Sequence, residues 1–252
     1  MLVAERLDKI VALVNEKGSI RVTELSKLCE VTEETIRRDL DRLEREGKLQ
    51  RSHGGAVSIK EQNRETPYFI REVMNTEEKR QIAEAAIRLI EPGERILLDA
   101  STTAWYMASI LPDIPLTVLT NSIRVATELS MKEKIEVVST GGTLASRSMS
   151  FVGPLAESSL EVYHVDKLFL SAKGVHLTRG ISESTELQAR IKQKMIQAAE
   201  RVILLADSSK FGIQAFTRVA LLEEVDEVVT DRNISAEILE QLQALECKVT
   251  LV

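Results

Sequence analysis

Short runs of hydroxyl-bearing residues, several beside an acid or a lysine, carry the clearest chemistry in this sequence. They are Asp99-Ala100-Ser101-Thr102-Thr103, Thr120-Asn121-Ser122, Thr140-Gly141-Gly142-Thr143, Gly180-Ile181-Ser182-Glu183-Ser184 and Asp207-Ser208-Ser209-Lys210. Hydroxyls and free backbone N–H groups at the start of a helix form a cradle for a phosphate or another anion. Singly, each run reads as turn or cap chemistry. Together, with Arg147, Lys173 and Lys210 among them, they point to a polar pocket that accepts an anion. Its candidate ligands are Asp99, Ser101, Thr102, Thr103, Asn121, Ser122, Gly141, Gly142, Arg147, Lys173, Glu183, Asp207 and Lys210. Ser101, Thr102, Thr103 and Lys210 suit a phosphate, and Asp99, Asn121 and Glu183 suit ligand hydroxyls. Trp105 and Tyr106 follow the first run, with packing against a sheet the first role for Trp105 and a pocket wall the second.

A second constellation lies near the amino end. On a helix over Thr32–Gly47, Ile36, Leu40 and Leu43 form one apolar stripe, and Glu34, Thr35, Arg38, Asp41, Arg42 and Arg45 lie opposite. Arginine pairs bidentately with guanine, and threonine touches a thymine methyl or a phosphate. Thr35 and Arg38 therefore suit base edges, and Arg37, Arg42 and Arg45 suit phosphates. Thr23 and Thr32 open two helices, and Lys48, Arg51 and His53 lie where a β-ribbon could reach a duplex backbone or minor groove. A three-helix bundle with a charged surface fits the same periodicity.

The elements that must position these residues fall into two groups. Ala4–Asn15 has helical apolar spacing and stops at Gly18. Ser19–Val22 reads as extended, and Thr23 as the cap of a helix through Cys29 with Leu25 and Leu28 inward. Thr32 caps the next helix, and Lys48–Ser52 and Ala56–Ile59 form a hairpin across His53-Gly54-Gly55. These make a candidate DNA-binding domain over 1–59, a polar linker over 60–75 containing Pro67, and an α/β domain over 76–252. In the last, strands are expected at Arg95–Leu98, Leu116–Leu119, Ile135–Ser139, Lys167–Ser171, Val202–Ala206, Glu227–Thr230 and Lys248–Val252. Helices are expected at Thr76–Ile90, Thr102–Leu111, Ser122–Met131, Ser184–Glu200 and Ser235–Leu245. Such alternation predicts a mostly parallel sheet covered on both faces.

Charge is divided between these groups. The net charge is −6, yet residues 1–60 hold 12 Lys/Arg against 11 Asp/Glu, and the rest hold 21 against 28. Thr35–Lys60 alone has 7 basic and 4 acidic residues. A local basic face on an acidic protein permits DNA binding and is equally compatible with a solvated helix face. No apolar run is long enough for a membrane span, no signal-peptide pattern opens the chain, and Cys29 and Cys247 sit in apolar patterns. A soluble, cytoplasmic protein is expected. There is no Gly-x-Ser-x-Gly elbow, P-loop, Gly-x-Gly-x-x-Gly or Cys/His cluster, so neither a catalytic residue nor a metal or cofactor is expected.

Arg6, Ile10 and Val14, then Thr32-Glu33-Glu34-Thr35-Ile36-Arg37-Arg38-Asp39-Leu40 and Arg51-Ser52-His53-Gly54-Gly55-Ala56, resemble the winged helix-turn-helix of the DeoR family of bacterial repressors. Leu98-Asp99-Ala100-Ser101-Thr102-Thr103, Thr120-Asn121-Ser122, Gly141-Gly142 and Asp207-Ser208-Ser209-Lys210-Phe211 resemble that family's sensor. The resemblance covers essentially the whole chain. It implies a Rossmann-like α/β domain similar to ribose-phosphate isomerases and glucosamine-phosphate deaminases, binding a sugar phosphate without turnover. Ala100 stands where many members have glycine, which alters that loop. Ala104-Trp105-Tyr106 and Leu111-Pro112-Asp113-Ile114 look most like regulators of the fucose operon, implying an effector such as fuculose 1-phosphate.

The resulting expectation is a repressor of a carbohydrate-catabolism operon, homo-oligomeric through its α/β domains and released from double-stranded operator DNA by a phosphorylated sugar. Two alternatives stay open: a sugar-phosphate isomerase or deaminase with a DNA-binding appendage, and an activator of the same family.

Overall fold

The structure, a computed structural model, describes residues 3–52, 54–57, 65–245 and 247–252. The chain divides into two compact units, Met1–Glu65 and Thr66–Val252.

In the first unit, α1 (Val3–Lys17) ends at Gly18, whose φ of 75° favours glycine. It leads into β1 (Ser19–Arg21) and α2 (Val22–Cys29). Thr23 is not the cap expected of it. The helix starts at Val22 with Arg21 in the cap position, and Val22 N–H donates at 2.8 Å to the Gly54 carbonyl, so the ribbon's turn supplies an acceptor there. Leu28 is also a correction: α2 packs through Val22, Leu25 and Cys29, which leaves Leu28 exposed. Thr32 does cap α3 (Glu33–Arg45), accepting from Thr35 N–H at 3.3 Å. Ile10, Leu25, Ile36, Leu40 and Leu43 form a fully buried centre. β2 (Gln50–Ser52) and β3 (Gly55–Val57) are antiparallel, and β1 joins them in the order β1-β3-β2. A Cβ on Gly55 would sit 2.2 Å from the Ile20 carbonyl oxygen, so this strand approach requires glycine. β2 begins at Gln50 rather than Lys48, and residues 53, 58 and 59 of the expected hairpin lie outside those described.

The second unit opens with α4 (Tyr68–Glu72) and α5 (Thr76–Ile87). The expected linker over 60–75 is thus divided: 60–64 lie outside the described residues, and 66–75 belong to this unit, where Tyr68 is fully buried. Its ring lies against the guanidiniums of Arg71 and Arg124, each 5.7 Å from the centroid, which ties the segment to the unit. Then come β4 (Arg95–Leu98), α6 (Thr102–Ile110), β5 (Leu116–Thr120), α7 (Ile123–Leu129), β6 (Ile135–Ser139), β7 (Thr143–Ala145), β8 (Ser150–Val152) and α8 (Pro154–Leu160). β9 (Val165–Leu170), β10 (Gly174–His176), β11 (Gly180–Glu183), α9 (Glu186–Gln197) and β12 (Ala199–Leu205) follow. β13 (Thr217–Ala220), β14 (Glu227–Thr230), α10 (Ala236–Ala244) and β15 (Lys248–Leu251) complete the chain.

Seven strands form the expected parallel sheet, in the order β15-β14-β12-β9-β4-β5-β6. Leu97, Leu168 and Leu204 pack in one core, and their neighbours Ile96, Leu98, Phe169, Ile203 and Leu205 pack in another. Burial on both faces explains why these strands read as continuous apolar runs. Strand order runs outward from β4 to β6 on one side and from β9 to β15 on the other. The place where it reverses, beyond the carboxyl ends of β4 and β9, is where open α/β sheets take ligands. The antiparallel pair β7–β8 and the small sheet β10-β11-β13 were not foreseen; their short strands lack a sustained apolar period.

Candidate functional site

Each unit carries one candidate surface. In the first, α3 presents its cations to solvent. Arg38 has 79% of its side chain exposed and lies 3.4 Å from Glu34. Arg37 pairs with Glu33 at 2.8 Å, and Arg42 and Lys48 pair with Glu46 at 2.9 and 2.8 Å. Arg45 Nε donates to the Asp41 carbonyl at 3.2 Å. Exposed pairs of this kind contribute little and can exchange their carboxylates for phosphates. Arg51 differs. Its guanidinium is paired with Asp41 and its backbone N–H donates to Glu44 at 2.8 Å, so it fastens the ribbon to α3. Thr32 and Thr35 share a hydroxyl contact of 3.0 Å at the start of α3. Thr23 is exposed, and His53 lies outside the described residues.

Behind this face is a pair that the helical spacing does not predict. Asp39 lies on the buried side of α3 and accepts from Arg6 Nε at 2.6 Å and Nη2 at 3.2 Å. The hydrogen bond to Asp39 is the main cause holding the Arg6 guanidinium above its ordinary range. The pair sets α3 against α1 and so aims the exposed arginines.

In the second unit, the strand ends converge at the switch point. Asp99 follows β4 and is fully buried; Oδ1 accepts from Ser101 N–H and Oδ2 from Ser171 N–H, both at 3.0 Å. The carboxylate therefore bridges the ends of β4 and β9. Lys192 of α9 lies 3.0 Å from Asp99 Oδ2, and donates at 2.6 Å to both Glu183 and the Ser171 carbonyl. Burial draws the Lys192 ammonium down, but Asp99 and Glu183 together outweigh it and hold it above the usual lysine range. Asp99 and Glu183, expected to suit ligand hydroxyls, are thus both engaged with Lys192 inside the unit.

Around this triad, Ser101 caps α6 by accepting from Ala104 N–H at 3.0 Å, and Thr102 and Thr103 are buried in its first turn. Thr120 donates to the Leu98 carbonyl at 2.7 Å and accepts from Ser122 N–H at 3.0 Å; Ser122 caps α7. Asn121 Nδ2 donates to the Phe151 carbonyl at 3.0 Å. Among the described residues, Asn121 Oδ1 and Ser171 Oγ are buried without a hydrogen-bond partner. Gly141 and Gly142 have φ of 63° and 109°, and a Cβ on Gly142 would meet Ala156 at 2.9 Å, so packing on α8 accounts for that glycine. Arg147 is exposed, and its carbonyl accepts from Tyr68 N–H at 2.7 Å.

Asp207 is buried after β12 and accepts from Ser209 and, at 2.9 Å, from Asn75. Lys210 donates to the Ala172 carbonyl at 2.7 Å, and Lys173 to the Thr66 hydroxyl at 3.5 Å. Burial, above all, pushes both ammoniums below the usual lysine range.

Lys192 and Lys79 are not singled out by the sequence, and Thr120 and Ser171 enter only as members of strand-end runs, not as candidate ligands. The signal for two of them was present: Lys192 shares a helical stripe with Ala189 and Met195, and Lys79 with Ile82, Ala83 and Ala86. A lysine on an apolar stripe must find a partner inside. Among the described residues no group of three or more His, Cys, Asp or Glu is placed to hold a metal ion, and no helix is long and apolar enough to cross a membrane.

Comparison with known families decides what this pairing of units is. Residues 6–62 match the DeoR-like helix-turn-helix domain, and residues 74–232, more than half of the chain, match the DeoR C terminal sensor domain. This chain belongs to the DeoR family. It is a DNA-binding transcriptional regulator of DeoR type, as its motifs implied. An uncharacterized HTH-type transcriptional regulator, YulB of Bacillus subtilis (strain 168), is 54% identical over 100% of this chain and 98% of its own length. The L-fucose operon activator of Haemophilus influenzae is 39% identical over 91% of this chain and 92% of its own. A putative aga operon transcriptional repressor of Escherichia coli O157:H7 is 36% identical over 99% and 94%. These DeoR-family relatives are regulators by name, in agreement with the reading of this chain as a non-enzyme. The helix-turn-helix match begins at Arg6, the residue that anchors α3 through Asp39.

Proposed function

We propose that this DeoR-family protein is a cytoplasmic, homo-oligomeric repressor of a carbohydrate-catabolism operon, released from double-stranded operator DNA by a phosphorylated sugar. The DNA contacts are Thr35 and Arg38 to base edges and Arg37, Arg42, Arg45 and Lys48 to phosphates. The effector lies beyond β4 and β9, its phosphate on the first turn of α6 and Lys210, its hydroxyls on Asn121 and Ser171. The observation that carries this reading is the buried Asp99–Lys192–Glu183 triad at the switch point, with the unpartnered Ser171 Oγ and Asn121 Oδ1 beside it. No cofactor is needed, because binding alone shifts the equilibrium between two states by the difference in affinity for them.

Operator binding titrated with and without sugar phosphates, fuculose 1-phosphate among them, tests the reading. Weaker binding with one of them supports it; indifference to every phosphorylated sugar refutes it. A second reading, that the effector promotes activation, is favoured by the relative named an L-fucose operon activator, and the same titration gives the opposite sign.

A further inference from the structure

α9 carries two buried polar side chains one helical turn apart. Lys192 gathers Asp99, Glu183 and the Ser171 carbonyl. Gln188, on the preceding turn, is buried as well and holds a different element. Its Nε2 donates at 2.8 Å to Ser148 Oγ and at 2.9 Å to Ser150 Oγ, and the two hydroxyls lie 2.8 Å apart. Ser148 donates to the Ala145 carbonyl at 3.2 Å. With Ser150 donating to Ser148, both amide protons and both hydroxyl protons are used. The backbone between the serines depends on that hold. Met149 has a φ of 53°, in the left-handed region that residues with a side chain rarely adopt.

The turn held in this way sets β8 against the end of β5. Ser150 bridges Ser122 in antiparallel fashion, Ile123 N–H donates to the Met149 carbonyl at 3.1 Å, and Phe151 N–H donates to the Asn121 carbonyl at 2.7 Å. The Phe151 carbonyl accepts in return from Asn121 Nδ2 at 3.0 Å. That bond decides which way the amide faces. A carbonyl only accepts, so the nitrogen must lie toward Phe151 and Oδ1 is turned the other way. Asn121 is 1% exposed, and among the described residues its Oδ1 has no hydrogen-bond partner. Oδ1 offers an acceptor only, whereas the Ser171 hydroxyl can donate or accept. Asn121 is the more selective of the two.

We infer that Gln188 is a positioning residue for effector selectivity: through Ser148 and Ser150 it fixes β8, and β8 fixes Asn121 with its acceptor toward the phosphorylated sugar. Resting on the sugar-phosphate reading proposed above, this assigns the site a ligand that presents a hydroxyl or amino donor to Asn121 Oδ1. A ligand lacking a donor there leaves a buried acceptor unpaired, which costs more than the contact itself is worth. Gln188 touches neither the sugar nor the phosphate. Its effect reaches the ligand through Asn121 alone, so it bears on the sugar and not on the phosphate.

The test is calorimetry and backbone hydrogen exchange on the full chain. Its probes are inorganic phosphate and the sugar phosphates of the operator titration, glucose 6-phosphate and fuculose 1-phosphate among them. Gln188→Met keeps the side chain's length and removes both donors. It should weaken the best-bound sugar phosphate about tenfold, the factor one hydrogen bond carries, and leave inorganic phosphate unchanged. Asn121→Ala should give the same loss, and the double variant no more than either alone, because both act through one contact. Ser150→Ala, a smaller change, should move the same way, while Gln197→Met on the exposed face of α9 should move neither probe. One singly deoxygenated analogue of that sugar phosphate should bind more weakly to the unaltered protein and lose nothing further in Asn121→Ala. Without any variant, the sugar phosphate should slow amide exchange at Ile123 and Phe151 more than inorganic phosphate does. Equal losses for both probes in Gln188→Met, or additive losses in the double variant, would overturn the inference. So would sugar phosphates that bind no better than inorganic phosphate, which leaves the anion site standing. If no probe binds the unaltered protein, the sugar-phosphate reading falls with it.

Discussion

The two units use charge in opposite ways. On α3, Arg37, Arg38 and Arg42 pair with carboxylates one helical turn away, half in solvent, where Arg38 keeps 79% of its side chain exposed. At the switch point Lys192 and Asp99 are buried, and their partners come from distant elements. An exposed pair is cheap to break, so its cations remain available to a duplex. A buried pair is costly to break, so it positions the groups around it. The contrast separates residues that touch a ligand from residues that hold others in place, and Arg6–Asp39 shows that the DNA-binding unit contains both kinds.

The strongest way to break this comparison is Lys192→Met, which leaves Asp99 and Glu183 buried without a counter-charge. It should cost about 3–5 kcal/mol in urea unfolding and abolish sugar-phosphate binding; a loss under about 1 kcal/mol would place the triad among the exposed pairs. Arg6→Ala should cost roughly 2–3 kcal/mol and weaken operator binding at every sequence alike, since it misaims α3 as a whole. A specificity change confined to one base position would instead make Arg6 a DNA contact.

The pH dependence of the second unit sharpens the contrast. Lys79 is pushed down to about 8 by burial first, then by Lys210 and Arg71, with Asp207 and Glu78 opposing. Above that pH the folded protein releases a proton that the unfolded chain keeps to about 10.5, so stability rises with pH, by roughly 1 kcal/mol per unit. The window is pH 8–9. Beyond it Cys247, pushed up to about 11 by burial and by Asp226 and Glu227, favours the unfolded state instead. Chemical denaturation at pH 7, 8 and 9 should show the rise, and Lys79→Met should reduce it.

Smaller effects are expected on the exposed face. Arg38→Ala should cost about 1–3 kcal/mol at its preferred operator base and relax selectivity there; an equal loss on random duplex would move Arg38 to the phosphates. Lys48→Gln should lower the slope of log affinity against log salt by about one while leaving the fold intact. An unchanged slope would take Lys48 off the duplex.

Much of this molecule is written in local pattern. Thr32, Ser101, Ser122 and Ser235 were readable as helix starts because a hydroxyl capping a first turn acts over three residues, and all four accept the expected N–H. The seven parallel strands stood out because burial on two faces demands unbroken apolar runs. Of the candidate site, the hydroxyl runs at the strand ends were legible for the same reason: each follows directly from its strand.

Partnership was not legible. Asp99 reads as a partner for ligand hydroxyls because nothing near it in sequence names Lys192, Ser171 or Glu183 as its neighbours, and residues 66–75 read as linker because Tyr68 is buried only on folding. Spacing along the chain fixes helices, strands and caps, whose forces span a few residues. Which charges meet, and which are cut off from water, is decided by how the sheet is threaded and closed, and only the tertiary structure records that.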